Sequence, residues 1–242
     1  TKEASHVKVS DLWMEWVRNR PLRILSFFFV IAFTTMSISN AADSYFMSYN
    51  IGATPMMTTV FMWLGTIPAF IFLPLLPSIK RKIGKAAMFR LFLGISIVGM
   101  ILMYVIVSIP SLSSCFPLVC AIQFVKSVGI LVATGYMWAL VPEVVTFGEY
   151  TTGRRVAAIV NAIICIFMKA GMALGGVIPG FVLAWVGFNA SNQVQTPLAQ
   201  QGILWLVTLI PAALFLLATF VIGKYELSDE KMDEINSSIT NK

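Results

Sequence analysis

The sequence predicts an all-α integral membrane protein with six transmembrane helices. Three observations carry that prediction. Hydrophobic residues make up 58% of the chain and charged residues only 12%, against about 25% charged in a soluble domain. Six stretches are predominantly apolar over the length, about 20 residues, that crosses a hydrocarbon core. The basic residues fall between those stretches: of 17 Lys and Arg, all but Lys126 and Lys169 lie in hydrophilic segments or at the ends of apolar runs.

Residues 1–21 form a cytoplasmic segment ahead of the bundle. They hold Lys2, Glu3, Lys8, Asp11, Glu15, Arg18 and Arg20. This is no signal peptide, which needs a short apolar core behind a basic start. Because the chain opens on Thr1, the segment reads as a loop within a longer polypeptide. Val9, Leu12, Trp13, Trp16 and Val17 share one face at helical spacing ahead of Pro21. That pattern predicts an amphipathic helix lying in the membrane interface.

The transmembrane half-domain covers 22–224, with spans at 22–49, 55–79, 86–109, 116–141, 156–187 and 202–224. The fifth is over-long and holds Gly175, Gly176, Pro179 and Gly180, so a kink or break is expected there. Residues 225–242 form a cytoplasmic tail. Within it, 227–235 is a helix with Ser228 as N-cap and Asp229 and Glu230 in its first turn. The last residues, rich in Asn, Ser and Thr, are expected to be disordered.

The connections alternate in charge. Arg18, Arg20 and Arg23 precede the first span, and Lys80, Arg81, Lys82, Lys85 and Arg90 join the second to the third. Arg154 and Arg155 join the fourth to the fifth, and Lys224, Lys231 and Lys242 follow the sixth. The connections at 50–54, 108–115 and 188–201 contain no Lys or Arg. The positive-inside rule then places both termini in the cytoplasm, as an even number of spans requires. The net charge of +6 is a topology signal. No basic stripe is interleaved with exposed aromatics, so nucleic acid is not a partner; the bilayer is.

Several chemistries find no support. Cys115, Cys120 and Cys165 lack metal-ligand spacing, and the single histidine is His6. Ile83-Gly84-Lys85 lacks the earlier glycine and the hydroxyl residue of a phosphate-binding loop. Asn189-Ala190-Ser191 matches a glycosylation acceptor, which a bacterial protein leaves unmodified. Nothing inside the spans resembles a nucleophile set, so the chain is not read as an enzyme and needs no cofactor.

Ionisable groups inside a membrane are costly and mark pathways. Asp43, Lys126 and Lys169 are the three candidates. Lys169 lies about 20 Å along the fifth helix at 1.5 Å per residue, near the midplane. It either lines the pathway or is a structural lysine satisfied by helix carbonyls. Lys126 shares a polar face with Gln123 and Ser127 at helical spacing. Asp43 is placed near the outer surface, where an acid costs little. Trp138, near the inner end of the fourth helix, either anchors the span at the membrane interface or offers a flat face to a sugar ring. The small residues Ala170, Gly171, Ala173, Gly175, Gly176 and Gly180 permit close helix packing or form a hinge.

The loop after the fourth span reads Pro142-Glu143-Val144-Val145-Thr146-Phe147-Gly148-Glu149-Tyr150-Thr151-Thr152-Gly153-Arg154-Arg155. It resembles the signature of the glycoside–pentoside–hexuronide:cation symporters, a branch of the major facilitator superfamily. Glu143, Gly148, Glu149, Thr152, Gly153 and Arg155 fit; Thr146 and Phe147 stand where the family has Asp and Tyr. Asn19-Arg20-Pro21-Leu22 is similar to the start of that family's seventh helix, Met168-Lys169-Ala170-Gly171 to its eleventh, and Tyr225-Glu226-Leu227-Ser228 to its exit into the tail.

The resemblance implies the C-terminal half of a twelve-helix major facilitator fold in a bacterial inner membrane. A sugar or glycoside would bind between this half and an N-terminal six-helix half of the same protein. Na⁺ or H⁺ would drive transport from a site mainly in that other half. Lys169, Lys126, Gln123, Trp138 and Asp43 would lie on the substrate and coupling pathway. Glu143, Glu149, Arg154 and Arg155 would form the cytoplasmic gate, the acids pairing with Arg154, Arg155 or charges of the other half. The alternative is a self-contained six-helix channel or a half-transporter that dimerises.

Overall fold

The computed structural model describes residues 9–154 and 156–240. An amphipathic helix α1 (Val9–Arg18) leads into α2 (Arg20–Tyr45), which continues as a π-helical turn, Phe46–Ile51. The second crossing is α3 (Pro55–Phe72), a 3₁₀ turn and α4 (Leu76–Ile83); the third is α5 (Lys85–Val107). After the short α6 (Pro110–Ser113), α7 (Phe116–Tyr136) runs through a 3₁₀ turn, Met137–Leu140, into α8 (Val141–Thr152). The fifth crossing is α9 (Ala157–Trp185), and the sixth is α10 (Pro197–Val207) with α11 (Leu209–Ile222). The tail ends in α12 (Asp229–Thr240). Six of these rods are long and apolar enough to cross a membrane.

Three crossings begin on the same local device, a polar N-cap followed by proline. Asn19 Oδ1 accepts the Leu22 amide at 3.0 Å, Thr54 Oγ1 that of Met57 at 3.3 Å, and Thr196 Oγ1 that of Ala199 at 3.2 Å. Asn19 does more than cap. Its Nδ2 donates to Glu15 Oε1 at 3.0 Å and to the Val144 carbonyl at 3.2 Å, tying α1, α2 and α8 together.

Lipid supplies no hydrophobic drive between helices, so contact depends on close van der Waals approach. The helices neighbour one another in the order α3, α7, α5, α11, α2, α9, and α2 also touches α7. Glycines set the tightest seams. A Cβ on Gly171 would lie 2.6 Å from the Val30 carbonyl oxygen, and one on Gly99 would lie 2.7 Å from the Lys126 amide nitrogen. A Cβ on Gly129 would collide with the Phe92 carbonyl. Two apolar clusters result. One is built around Phe28, Phe29, Phe89 and Phe215, the other around Phe46, Phe61, Met103 and Ile203.

The structure departs from the sequence reading in five places. The stretch after the fourth span, read as a loop, is helical through Thr152 in α8. The first crossing extends through the π-helical turn to Ile51. The fifth stays one continuous helix through Pro179. Missing one donor does not break it, because neighbouring packing holds the rod in place. The sixth begins at Pro197 and steps at Thr208, whose backbone leaves helical geometry (φ −124°, ψ −76°). The final residues are helical to Thr240, not disordered. Met232 and Ile235, both buried, supply the apolar contact that orders the tail, and Ser228 Oγ caps it by accepting the Lys231 amide at 3.3 Å.

The glycine seams make a paired prediction for the full-length protein in detergent. Gly129→Ala forces α5 and α7 apart and should lower thermal stability by ~1–3 kcal/mol. Gly94→Ala, whose Cβ would meet nothing within 4 Å, should be neutral or stabilise by up to ~1 kcal/mol. Equal melting temperatures for the two variants would contradict this account of the seam.

Candidate functional site

At the junction of the two apolar clusters sits a charged pair. Lys126, with no solvent-exposed surface, places Nζ 2.7 Å from Asp43 Oδ1. Gln123 Nε2 donates to the other carboxylate oxygen, Oδ2, at 3.0 Å. The ammonium also lies 6.0 Å from the centre of the Phe61 ring. Residues of α2, α3 and α7 therefore meet around one charge pair.

The sequence makes this possible through small residues. Gly99 lets α5 reach the Lys126 backbone. Ser96 Oγ donates to the Lys126 carbonyl at 2.5 Å and accepts the Gly129 amide at 2.7 Å, which fixes the register of α7. A Cβ on Gly65 would lie 3.0 Å from Gln123 Nε2 and 3.3 Å from Ser127 Oγ, so glycine there lets α3 close over the amide without displacing it. Gln123 Oε1 and Ser39 Oγ are buried and unpartnered, the serine one helical turn before Asp43. The site thus keeps polar capacity in reserve.

Asp43 is consequently not the interfacial acid that its distance along the first helix suggests. It is buried, and the crossing continues eight residues further to Ile51, about 12 Å of helix. A carboxylate at that depth is held by Lys126 and Gln123, not by water.

Lys169 stands elsewhere. It is exposed and has no ion-pair or hydrogen-bond partner among the described residues. Its setting on α9 is informative. Ala158, Ala162, Cys165, Lys169, Ala173, Gly176 and Gly180 recur at three- and four-residue spacing along one flank, and all are exposed or half-exposed. The neighbouring flank carries Ile166, Leu174, Val177, Phe181 and Trp185, bulky and exposed. The first flank has the composition of a helix contact surface, the second that of a lipid-facing one. Trp138 lies in the 3₁₀ turn, 41% exposed, with its ring edge-on to Phe29 at 5.0 Å. The structure therefore brings Asp43, Gln123 and Lys126 together and leaves Lys169 and Trp138 separate from them.

The gate residues are also redistributed. Glu143 pairs with Lys85, Oε1 to Nζ at 2.7 Å, and accepts from the Tyr225 hydroxyl at 3.3 Å. It does not pair with Arg154. Lys85 is buried and spends its other donors on Asp229 at 2.8 Å and the Leu227 carbonyl at 3.2 Å; Lys80 adds a second contact to Asp229 at 3.1 Å. The partner is Lys85 because α8 and the α4–α5 joint converge under the tail. Glu149 and Arg154 make no ion pair among the described residues, and Arg155 lies outside them.

Burial alone would raise the Asp229 carboxyl, but Lys85 and Lys80 hold it below the ordinary value. Burial and then Glu143 push the Tyr225 phenol well up, so it remains a neutral donor. Gly148 of the signature has a packing role: a Cβ there would lie 2.6 Å from Glu15 Oε1 and 3.0 Å from Asn19 Nδ2.

Sequence reading treats Lys85 as a topology charge and places Asp229 only as an acid in the first turn of the tail helix. It passes over Gly65 and Ser39, and names Tyr225 only within the tail motif. The one usable signal is Gly84, whose left-handed φ of 81° marks a tight joint and fixes where Lys85 starts its helix.

The geometry makes a prediction for the pair. In the full-length protein, Asp43→Asn or Lys126→Met alone leaves a buried charge uncompensated and should cost ~3–5 kcal/mol of stability. The double variant should recover most of the loss. Additive losses in thermal unfolding would show that the two side chains do not interact.

Comparison with known proteins places the chain. Residues 1–229 match the family described as MFS/sugar transport protein. An uncharacterized symporter of Bacillus subtilis is 37% identical over 241 residues, covering 100% of this chain and 50% of that protein. A glucuronide carrier protein homolog of Escherichia coli is 32% identical over 225 residues, covering 93% of this chain and 48% of the relative. A putative sulfoquinovose importer of Escherichia coli is 28% identical over 225 residues, covering 90% and 46%. The chain spans about half the length of these curated relatives. It belongs to the MFS/sugar transport family.

Proposed function

We propose that this chain is the C-terminal six-helix half of a symporter that moves a sugar or glycoside across the bacterial inner membrane, coupled to Na⁺ or H⁺ by alternating access. Family membership, half-length coverage of the relatives and six crossings support the reading. Both termini would lie in the cytoplasm, on the side where Lys80, Lys85 and Arg154 cluster. The substrate would bind at the midplane between the two halves.

The observation that carries the reading is Lys169. An ammonium on an exposed flank of small residues, deep in an apolar helix, lacks a counter-charge among the described residues. Leaving it so in hydrocarbon is disfavoured by ~2.5–3.5 kcal/mol on insertion scales. The counter-charge would come from a carboxylate of the N-terminal half, placing Lys169 at the central cavity. Glu149 and Arg154, without an ion pair among the described residues, would meet charges of that half when the inner side closes, and Arg155 would join them. Ion pairs formed in only one state bias a two-state equilibrium. Asp43, Gln123 and Lys126 would brace the cavity wall, and Trp138 would offer its exposed ring at the cavity's inner end.

Two measurements on the full-length protein test this. Lys169→Ala should abolish cation-driven accumulation of a labelled glycoside while membrane insertion persists; accumulation equal to the parent's would sink the assignment. In intact cells, an impermeant thiol probe should label Asn192→Cys and not Lys82→Cys. The reverse pattern would invert the topology.

A further inference from the structure

We propose that Asn40, Ser44 and Tyr45 of α2 form a hydroxyl-recognition subsite for a neutral glycoside, in the half of the pathway beyond the midplane from Arg20. The inference rests on the glycoside reading above. Ser37, Asn40, Ser44 and Ser48 recur at three- and four-residue spacing, with Tyr45 beside Ser44, so they share one face of α2 and its π-helical extension. Asn40, Ser44, Tyr45 and Ser48 are exposed and Ser37 is half-buried. The crossing runs Arg20–Ile51, so Asn40 lies past its middle. From Asn40 to Ser48 the stripe extends about 12 Å.

This face does not suit lipid. The exposed side chains of α5 between Leu91 and Val105, and those of α11, are all hydrocarbon. A hydroxyl or amide turned to acyl chains without a partner is costly. The polar groups of the stripe are not satisfied on their own helix either. Elsewhere in the spans Ser26, Thr35 and Thr134 donate to the carbonyls of Leu22, Ile31 and Ile130, at 2.7, 2.9 and 2.7 Å. The side chains of Ser37, Asn40, Ser44, Tyr45 and Ser48 make no hydrogen bond among the described residues. They are accessible, polar and free to bind.

The chemistry selects the ligand. An amide offers two donors and an acceptor, and each hydroxyl offers both functions, which matches the hydroxyls of a sugar ring. No Lys, Arg, Asp or Glu shares the stripe, and Asp43 is buried on another face, so the ligand is neutral. Tyr45 adds an aromatic ledge, stacked on Tyr49 at 6.4 Å and edge-on to Phe188 at 5.4 Å. That packing holds the ring in place, yet Tyr45 stays 38% exposed. Its apolar body suits the C–H side of a sugar and its hydroxyl the polar edge. The π-helical turn starts at Phe46, directly after Tyr45, and such turns concentrate at functional sites. At the other end of the stripe, a Cβ on Gly175 would collide with Ser37 Cβ. The stripe thus begins at the seam with α9, the helix that carries Lys169.

The test uses the full-length protein in a cysteine-free background, in nanodiscs open on both sides. A water-soluble maleimide should label Asn40→Cys and Ser44→Cys, because the reactive thiolate needs water. Leu216→Cys, on the hydrocarbon face of α11 at a position 52% exposed, should resist it. Accumulation of methyl glucoside, galactoside, xyloside and glucuronide is then measured in cells. A neutral glycoside that the parent accumulates should slow labelling of Asn40→Cys. Its KM should rise about 2–10-fold in Asn40→Ala and in Ser44→Ala, with a smaller change in maximal rate. Ser44→Thr, which keeps the hydroxyl, should raise KM less. Unprotected labelling with the parent's KM in both alanine variants, or accumulation of the glucuronide alone, would overturn the subsite and leave the symporter reading standing. A parent that accumulates none of the four would overturn both. Failure to label Asn40→Cys, with a lowered melting temperature for Asn40→Ala, would assign the stripe to packing against the N-terminal half instead.

Discussion

The bundle is organised around an ammonium that water does not reach. Lys126 is fully buried where two apolar clusters meet, and a lone charge there would be far more costly than any packing contact could repay. Asp43 supplies the counter-charge and Gln123 holds the second carboxylate oxygen. That requirement fixes α2 beside α7. Gly99, Ser96 and Gly65 then let α5 and α3 close on the same site. The close approach of four helices is thus subordinate to one electrostatic constraint.

A second charge cluster lies on the same rod. The crossing Phe116–Thr152 carries Lys126 and, 17 residues later, Glu143, about 25 Å along the axis. Glu143 joins Lys85, Tyr225 and, through Lys85, Asp229. The tail, the α4–α5 joint and α8 are therefore locked together at one end of the bundle, while α2 and α3 are gathered in its interior. Lys85 and Lys80 hold the Asp229 carboxyl of the lower cluster below its ordinary value. Tilting this rod moves both clusters together. Alternating access in the proposed whole protein requires a six-helix half that moves as one body, and two clusters on one rod provide it.

Much of this was legible in the sequence and some was not. Six crossings followed from apolar length and from where Lys and Arg stop. Gln123 and Lys126 declared a polar face by their spacing, and Ser228 declared a cap. Asp43 did not declare its partner, because Lys126 is 83 residues away. Helical periodicity gives the face of a helix but not its neighbour. Pro179 suggested a break, yet α2 packed along α9 holds the rod continuous. The last residues, rich in Asn, Ser and Thr, suggested disorder, yet the helix expected for 227–235 runs on to Thr240. Lys85 read as one basic residue among several until the fold placed it beneath Glu143 and Asp229.

The central claim, that Lys126 is held by an ionised Asp43 sealed within the bundle, is open to infrared difference spectroscopy with carboxyl-labelled aspartate. The full-length protein in lipid is compared with its Asp43→Asn variant. The account predicts loss of an ionised carboxylate band that resists exchange with bulk water. Loss of a protonated carboxylic C=O band instead would show that Asp43 is neutral, and would contradict the pair on which the arrangement rests.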